Sequence, residues 1–278
     1  MAQPRDVFNL YDIQQALEEI NILAATGTIT LCEQGENHVG MQKMGQMAPD
    51  GFNLMDLARA QTWFLNRGVT SDIYDLKRLL PLELRPVAED AYLLYIPRGA
   101  NSIVDMNAFK AEQDALPKDT HAFMYGRVVN KMARHNLCFD TIAQEPDYQN
   151  KKGRIVAFDQ VPLLNTLRNT LPQIIGPKAN NLVAEGNYYY DITKCGIGFH
   201  GDAERRRVIA VRFGESMPLD YQWFYQSKPV GDRCSLQLHN GDMYIMSEKA
   251  VGTDWKLRNT LTLRHAAGAA KYRTIKNK

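Results

Sequence analysis

His200 and Asp202 stand two residues apart in Gly198-Phe199-His200-Gly201-Asp202. In an extended chain, positions i and i+2 point to one face, so this pair can grip a single ion. An imidazole nitrogen beside a carboxylate oxygen suits a divalent transition metal. Far downstream stand Arg258 and Arg264, and a guanidinium presents a planar fork that matches a carboxylate in bidentate fashion. A two-residue metal grip with a carboxylate clamp points to a metal site that takes an organic acid as its second component.

The segments that must position these residues read as mainly β. Strand signals recur from Leu182 onward: Leu182–Tyr190, Val208–Phe213, Tyr221–Tyr225, Ser235–Leu238, Asp242–Met246 and Asn259–Arg264, with turn residues between them. Many short strands with turn punctuation argue for a β-sandwich or barrel. Val161–Ile175 reads as a helix with Pro162 in the first turn, where its missing N–H costs nothing. Earlier, Ala91–Pro97, His121–Val129 and Asn136–Phe139 read as extended, whereas residues 101–120 and 140–154 read as loops. The expected class is α+β, mainly β: a double-stranded β-helix, or jelly roll, with flanking helices.

Residues 1–85 read differently and are expected to form an N-terminal accessory region without chemistry, followed by a main domain over 86–278. Leu10, Ile13, Leu17, Ile20 and Leu23 recur at helical spacing. Thr26–Cys32 is rich in β-branched residues and reads as a strand, and Glu33–Gly51 as a loop. Asn53 is an N-cap for a helix through Asn66, closed by Gly68, and a short helix is expected over Ser71–Leu80, ended by Pro81.

Composition narrows the class. The 278 residues are 45% hydrophobic and 23% charged, as in ordinary globular proteins. No apolar run approaches the roughly 20 residues that a membrane span needs, and the N-terminus carries no hydrophobic signal segment. A cytoplasmic or nuclear monomer is expected. The four cysteines are scattered without a CxxC pair, which argues against a disulfide framework or a zinc site and for free, mostly buried thiols. The net charge of +2 is uneven: residues 1–85 hold 7 Lys/Arg against 11 Asp/Glu, and seven basic residues with no acidic one lie between Lys256 and Lys278. That tail suits either a polyanionic partner or plain solvation.

Beyond the His-x-Asp pair, five segments in order resemble the AlkB family of Fe(II)- and 2-oxoglutarate-dependent dioxygenases. They are Tyr125-Gly126-Arg127 with Arg134 to Asp140, Asn181-Leu182-Val183 with Asn187-Tyr188-Tyr189, His200-x-Asp202-x-Glu204-Arg205, Val208–Gly214, and Arg258 to Arg264 in RNTLTLR. The resemblance covers about residues 90–268. It implies Fe(II) at His200 and Asp202, and 2-oxoglutarate held by Arg258 at its distal carboxylate. Arg264 would support the metal-side end, and Asn187 and Tyr189 would supply further hydrogen bonds, with Tyr190 as the alternative to Tyr189. It also implies hydroxylation of a C–H bond, with oxidative demethylation of a nucleobase in DNA or RNA as the inherited activity. Tyr125, Arg134, Phe139, Glu204 and Arg205 would face that substrate. Tyr125 and Phe139 could stack on a flipped base, or could belong to the core.

The chain departs from the family where a second metal-binding His is expected. Aligning the strand over Gly241–Met246 brings Lys256 to that position. Lys256 could ligate the metal as a neutral amine, leave a two-ligand site, or replace the metal by pairing with Asp202. His265 neighbours Arg264 and is expected to face the opposite side, and His239 is expected at the other end of the barrel. A site with two protein ligands also leaves room for a halide. A second class stays open: a nucleic-acid- or protein-binding module built on a retired active site.

Overall fold

A computed structural model of the chain describes residues 26–275. The helix expected over Leu10–Leu23 lies outside them. In chain order come β1 (Thr26–Cys32), β2 (Gln34–Glu36), β3 (Lys43–Gly45), α1 (Leu54–Leu65), β4 (Asp72–Asp75) and β5 (Tyr92–Ile96). Next are α2 (Met106–Asp114), β6 (His121–Met124), β7 (Arg127–Asn130), β8 (His135–Asp140), β9 (Ile155–Ala157) and α3 (Pro162–Ile175). The remainder holds β10 (Val183–Tyr189), β11 (Gly196–His200), β12 (Val208–Phe213), β13 (Met217–Tyr225), β14 (Lys228–Leu238), β15 (Met243–Met246), α4 (Glu248–Val251), β16 (Thr262–Gly268) and α5 (Ala270–Arg273).

The protein is α+β and mainly β. One eight-stranded sheet runs β4-β5-β15-β12-β1-β10-β8-β9, and a four-stranded sheet runs β11-β16-β13-β14. The strands of the large sheet sort their side chains with period two. Ile209, Val211 and Phe213 on β12, with Ile29 and Leu31 on β1, meet Leu57 and Phe64 of α1, Phe109 of α2 and the buried stripe of α3. Val208 and Ala210 on the other face, with Tyr244 and Met246 of β15, meet Leu219, Tyr221 and Trp223 of β13 and Leu263 of β16. The molecule is thus layered as helices, large sheet and small sheet, and the side chains between the sheets come from both.

The elements follow from local sequence. Asn53 and Asp56 form a capping box at the start of α1, each side chain accepting from the other's backbone N–H at 3.1 and 3.0 Å. α3 places Leu164, Leu167, Leu171, Ile174 and Ile175 on one buried face. At about 1.5–3 kcal/mol for each buried side chain, that stripe outweighs the about 3 kcal/mol an interior proline costs, so the helix tolerates Pro172. The cysteines are free, with Cys32, Cys138 and Cys195 buried.

Several elements differ from the sequence reading. Residues 26–85 are no separate unit: β1 lies at the centre of the large sheet, between β12 and β10, and β4 pairs with β5. Pairing partners this far apart in sequence leave no local signal. Ser71–Leu80 holds β4 and a short 3-10 turn instead of a helix, because Ile73 and its neighbours are recruited to the edge of β5. Residues 101–120 contain α2, started by Asp105, whose side chain accepts from the Ala108 N–H at 2.8 Å. The final strand runs Thr262–Gly268, later than the expected Asn259–Arg264, and this shift brings His265 into the middle of the small sheet.

Candidate metal centre and its cavity

A cavity of about 720 Å³ opens between the two sheets. Its walls are inward positions of β1 (Thr28, Thr30), β10 (Glu185, Asn187, Tyr189), β12 (Val208, Arg212), β15 (Tyr244, Met246) and β16 (His265, Ala267). The end of β11 contributes His200, and Asp202 follows it. The segment from Glu36 to Lys43, between β2 and β3, also lines the cavity. The first 85 residues, read from sequence as an accessory region, therefore contribute to the cavity wall.

His200, Asp202 and His265 converge, with one donor atom from each lying within 4.8 Å of the others. His200 Nε2 is 3.5 Å and His265 Nε2 is 3.9 Å from Asp202 Oδ1. An ion about 2.1 Å from each donor places neighbouring donors roughly 3 Å apart at right angles, so a small adjustment closes the set around one metal. The tautomer of His200 is set by its surroundings. Its Nδ1–H faces the carbonyls of Gly198 and His265 at 2.8 and 3.1 Å, which leaves the Nε2 lone pair for the ion. Burial, then the neighbouring His200, pushes the His265 imidazole down to about 3, partly offset by Asp202. His265 is therefore a neutral donor at ordinary pH. Burial works against the charge on Asp202, but Arg205 and the two histidines overcome it and hold the carboxyl well below its usual range.

Gly201 explains the residue between the two ligands. A Cβ there would lie 2.0 Å from the Gly252 carbonyl oxygen, and the adjacent Asp202 N–H donates to Val251 O at 3.0 Å. The end of α4 thus lies directly on the His-x-Asp turn. Gly201→Ala is expected to displace Asp202 and weaken metal binding at least about tenfold, on the scale of losing a supporting contact to a ligand. Titrating the metal-free variant with Fe(II) checks this, and wild-type affinity would refute it.

Arg205 is buried behind the ligands. Its Nη2 contacts Glu185 Oε2 and Glu204 Oε1, each at 2.5 Å, and its Nε lies 3.8 Å from Asp202 Oδ2. It turns the outer carboxylate oxygen away from the histidines and holds Oδ1 toward them. Arg206 pairs with Glu248 and Arg207 with Asp50. Arg205, Arg206 and Arg207 are therefore each paired with carboxylates of the fold.

The other expected site residues divide. Asn187, Tyr189, Arg134, Glu204, Arg205 and Lys256 line the cavity. Arg134 Nε donates to Asn187 Oδ1 at 2.6 Å. Tyr190 lies apart, half-exposed, donating to Met132 O and stacked on His135. Lys256 is not brought to the ligands: its Nζ lies over the Trp255 ring at 5.5 Å, and among the described residues it forms no ion pair with Asp202. His265 stands beside His200 and Asp202 instead. Arg264 and His265 do face opposite ways, but Arg264 is the outward one, its guanidinium over the Phe224 and Trp255 rings at 4.3 and 5.5 Å. Arg258 is exposed and outside the cavity, its carbonyl accepting from Gln226 N–H. Phe139 is fully buried against the helical layer, on the other face of the large sheet. Tyr125 sits at the tip of the β6–β7 hairpin with φ 54° and is 88% exposed, outside the cavity.

Two residues of the cavity wall differ from the sequence reading: His265, which that reading sets aside, and Arg212, to which it gives no role. Leu261, Leu263 and His265 alternate with Thr260, Thr262 and Arg264, a pattern that puts His265 on the face of the leucines. Arg212 is the only charge in the apolar strand Val208–Phe213, and it shares the inward face of Val208 and Ala210.

No protein-family model matches the chain. A curated protein of Acanthamoeba polyphaga mimivirus, "Uncharacterized protein R156", is 51% identical over 248 residues, covering 89% of this chain and 97% of that protein.

Proposed function

The chain belongs to the family of this mimivirus protein, and from the donor set it carries we propose an Fe(II)- and 2-oxoglutarate-dependent oxygenase that hydroxylates a C–H bond. The observation that carries this reading is the convergence of His200, Asp202 and His265 on one side of a deep cavity. Two imidazoles and one carboxylate on one face of an ion leave positions open for exchangeable ligands, a set suited to non-haem Fe(II). The presence of His265 in the set supports this reading over a retired site or a two-ligand halogenating site, both of which rested on Lys256 as the third residue. The fold supports the same reading. The four strands β15-β12-β1-β10 oppose β11-β16-β13-β14, and we read these eight as a jelly roll, with the remaining strands of the large sheet as extensions.

When bound, Fe(II) with 2-oxoglutarate and oxygen supplies hydroxylation of a C–H bond, releasing succinate and CO2. His200 and His265 bind through Nε2 and Asp202 through Oδ1. Arg205 orients Asp202, and Val208, Tyr244, Met246 and Leu219 exclude bulk water around the ligands. The substrate class we propose is a nucleobase in DNA or RNA, with an N-methyl group as the oxidised position. A cavity of about 720 Å³ with Trp255 in its lining is large enough for a base withdrawn from its stack.

The test is anaerobic titration of the metal-free protein with Fe(II) and 2-oxoglutarate, followed by oxygen and oligonucleotides bearing N-methylated bases. A charge-transfer band and substrate-stimulated succinate and formaldehyde are expected. Absence of Fe(II) binding would overturn the oxygenase reading, and succinate that no oligonucleotide stimulates would overturn the nucleobase.

A further inference from the structure

Arg212 is 1% exposed, lines the cavity, and forms no ion pair among the described residues. A buried guanidinium without a counter-ion is costly. Its Nη1 donates to Thr28 Oγ1 at 3.1 Å and its Nη2 to the Glu215 carbonyl at 3.0 Å, while Nε is buried without a partner. Burial also pulls its proton affinity down to about 10. Tyr189 lies under it, ring centre 5.5 Å from the guanidinium carbon. Tyr189 and Tyr244 both line the cavity, and neither hydroxyl has a hydrogen-bond partner among the described residues.

We propose that Arg212, with the Tyr189 and Tyr244 hydroxyls, binds the far carboxylate of a dicarboxylic 2-oxo acid whose oxo-acid end reaches the His200–Asp202–His265 set. This rests on the oxygenase reading and assigns the anion clamp to β12 rather than to Arg264 of β16 or to Arg258 in the segment before it. Tyr244 pairs with Ala210 on β12 and lines the same cavity as Asp202 and His265, and Arg212 is the next inward position beyond Ala210. One such step is roughly 6.6 Å, a span for a five-carbon diacid and too long for pyruvate. Ala267 is small, which leaves room for the connecting carbons. Arg134 is a weaker claimant, being half-buried with Nε engaged by Asn187.

The experiment compares wild type, Arg212→Met, Arg212→Lys and Arg134→Met as anaerobic Fe(II) complexes, titrated with 2-oxoglutarate and with pyruvate and followed by the absorbance band. Loss of a charge-assisted hydrogen-bond pair predicts a 2-oxoglutarate Kd raised about 30–100-fold in Arg212→Met. Arg212→Lys should recover part of it, with pyruvate and Fe(II) affinities unchanged. Wild-type binding that Arg212→Met leaves intact, an equal loss for pyruvate, or a loss confined to Arg134→Met overturns this assignment while the oxygenase reading stands. Failure of the wild-type Fe(II) complex to bind either acid overturns that reading and this inference with it. Should Arg212→Met not fold, wild type is titrated with 2-oxopentanoate, which keeps the five-carbon chain and the oxo-acid end but has a methyl group in place of the far carboxylate. Affinity equal to that of the diacid overturns the clamp, and a loss of about 30-fold or more supports it.

Discussion

His265→Ala is expected to lower Fe(II) affinity by more than about 100-fold, beyond the ~10–100-fold that follows loss of an outer partner of a ligand. The variant should form no 2-oxoglutarate absorbance band at micromolar iron. The reason is geometric: His265 Nε2 is one of three donors within 4.8 Å, and no other His, Cys, Asp or Glu among the described residues joins that group. Burial and the neighbouring His200 keep the ring unprotonated down to about 3, so no proton competes with the ion at neutral pH. Lys256→Ala is the companion variant, expected to bind Fe(II) as wild type does. The reverse result, with iron lost in Lys256→Ala and kept in His265→Ala, would return the third position to the lysine.

Arg205→Met is expected to destabilise the fold by about 3–5 kcal/mol, the range for removing one partner of a buried ion pair. The Arg205 side chain is 5% exposed and its partner Glu185 8% exposed, so the loss strands a carboxylate where water cannot replace the guanidinium. Glu204 and Asp202 lie against the same guanidinium and add repulsion once it is gone. Urea denaturation of the metal-free protein reads the effect without interference from the ion. Glu185→Gln in the Arg205→Met background should recover part of the stability, because the stranded charge is then removed. A loss below about 1 kcal/mol would show the cluster to be hydrated like an exposed ion pair.

Particular residues show how far the sequence could be read. The capping box at Asn53 and the stripe of α3 are local, and both form where the spacing puts them. The His200–Asp202 grip is legible because a two-residue step has one meaning in an extended chain. α2 was missed because Asp105 and the apolar positions Met106 and Phe109 are surrounded by polar residues. The place of β1 could not be read, because its partners Val183–Tyr189 and Ile209–Phe213 lie far along the chain.

By itself the sequence determined that His265 and Arg264 face opposite ways and that one His–Asp pair shares a face. Tertiary structure decided which way is inward. Pairing of β16 with β11 sets His265 against His200, and pairing with β13 sets it beside Tyr221. Arg264 is then stacked outside on Phe224. A strand's alternation is fixed by covalent geometry, but its register is fixed by its neighbours, and a slip of one residue exchanges every inward side chain for an outward one. The same holds for Arg212: its strand shows a lone charge, and only the opposing sheet makes that charge part of a cavity.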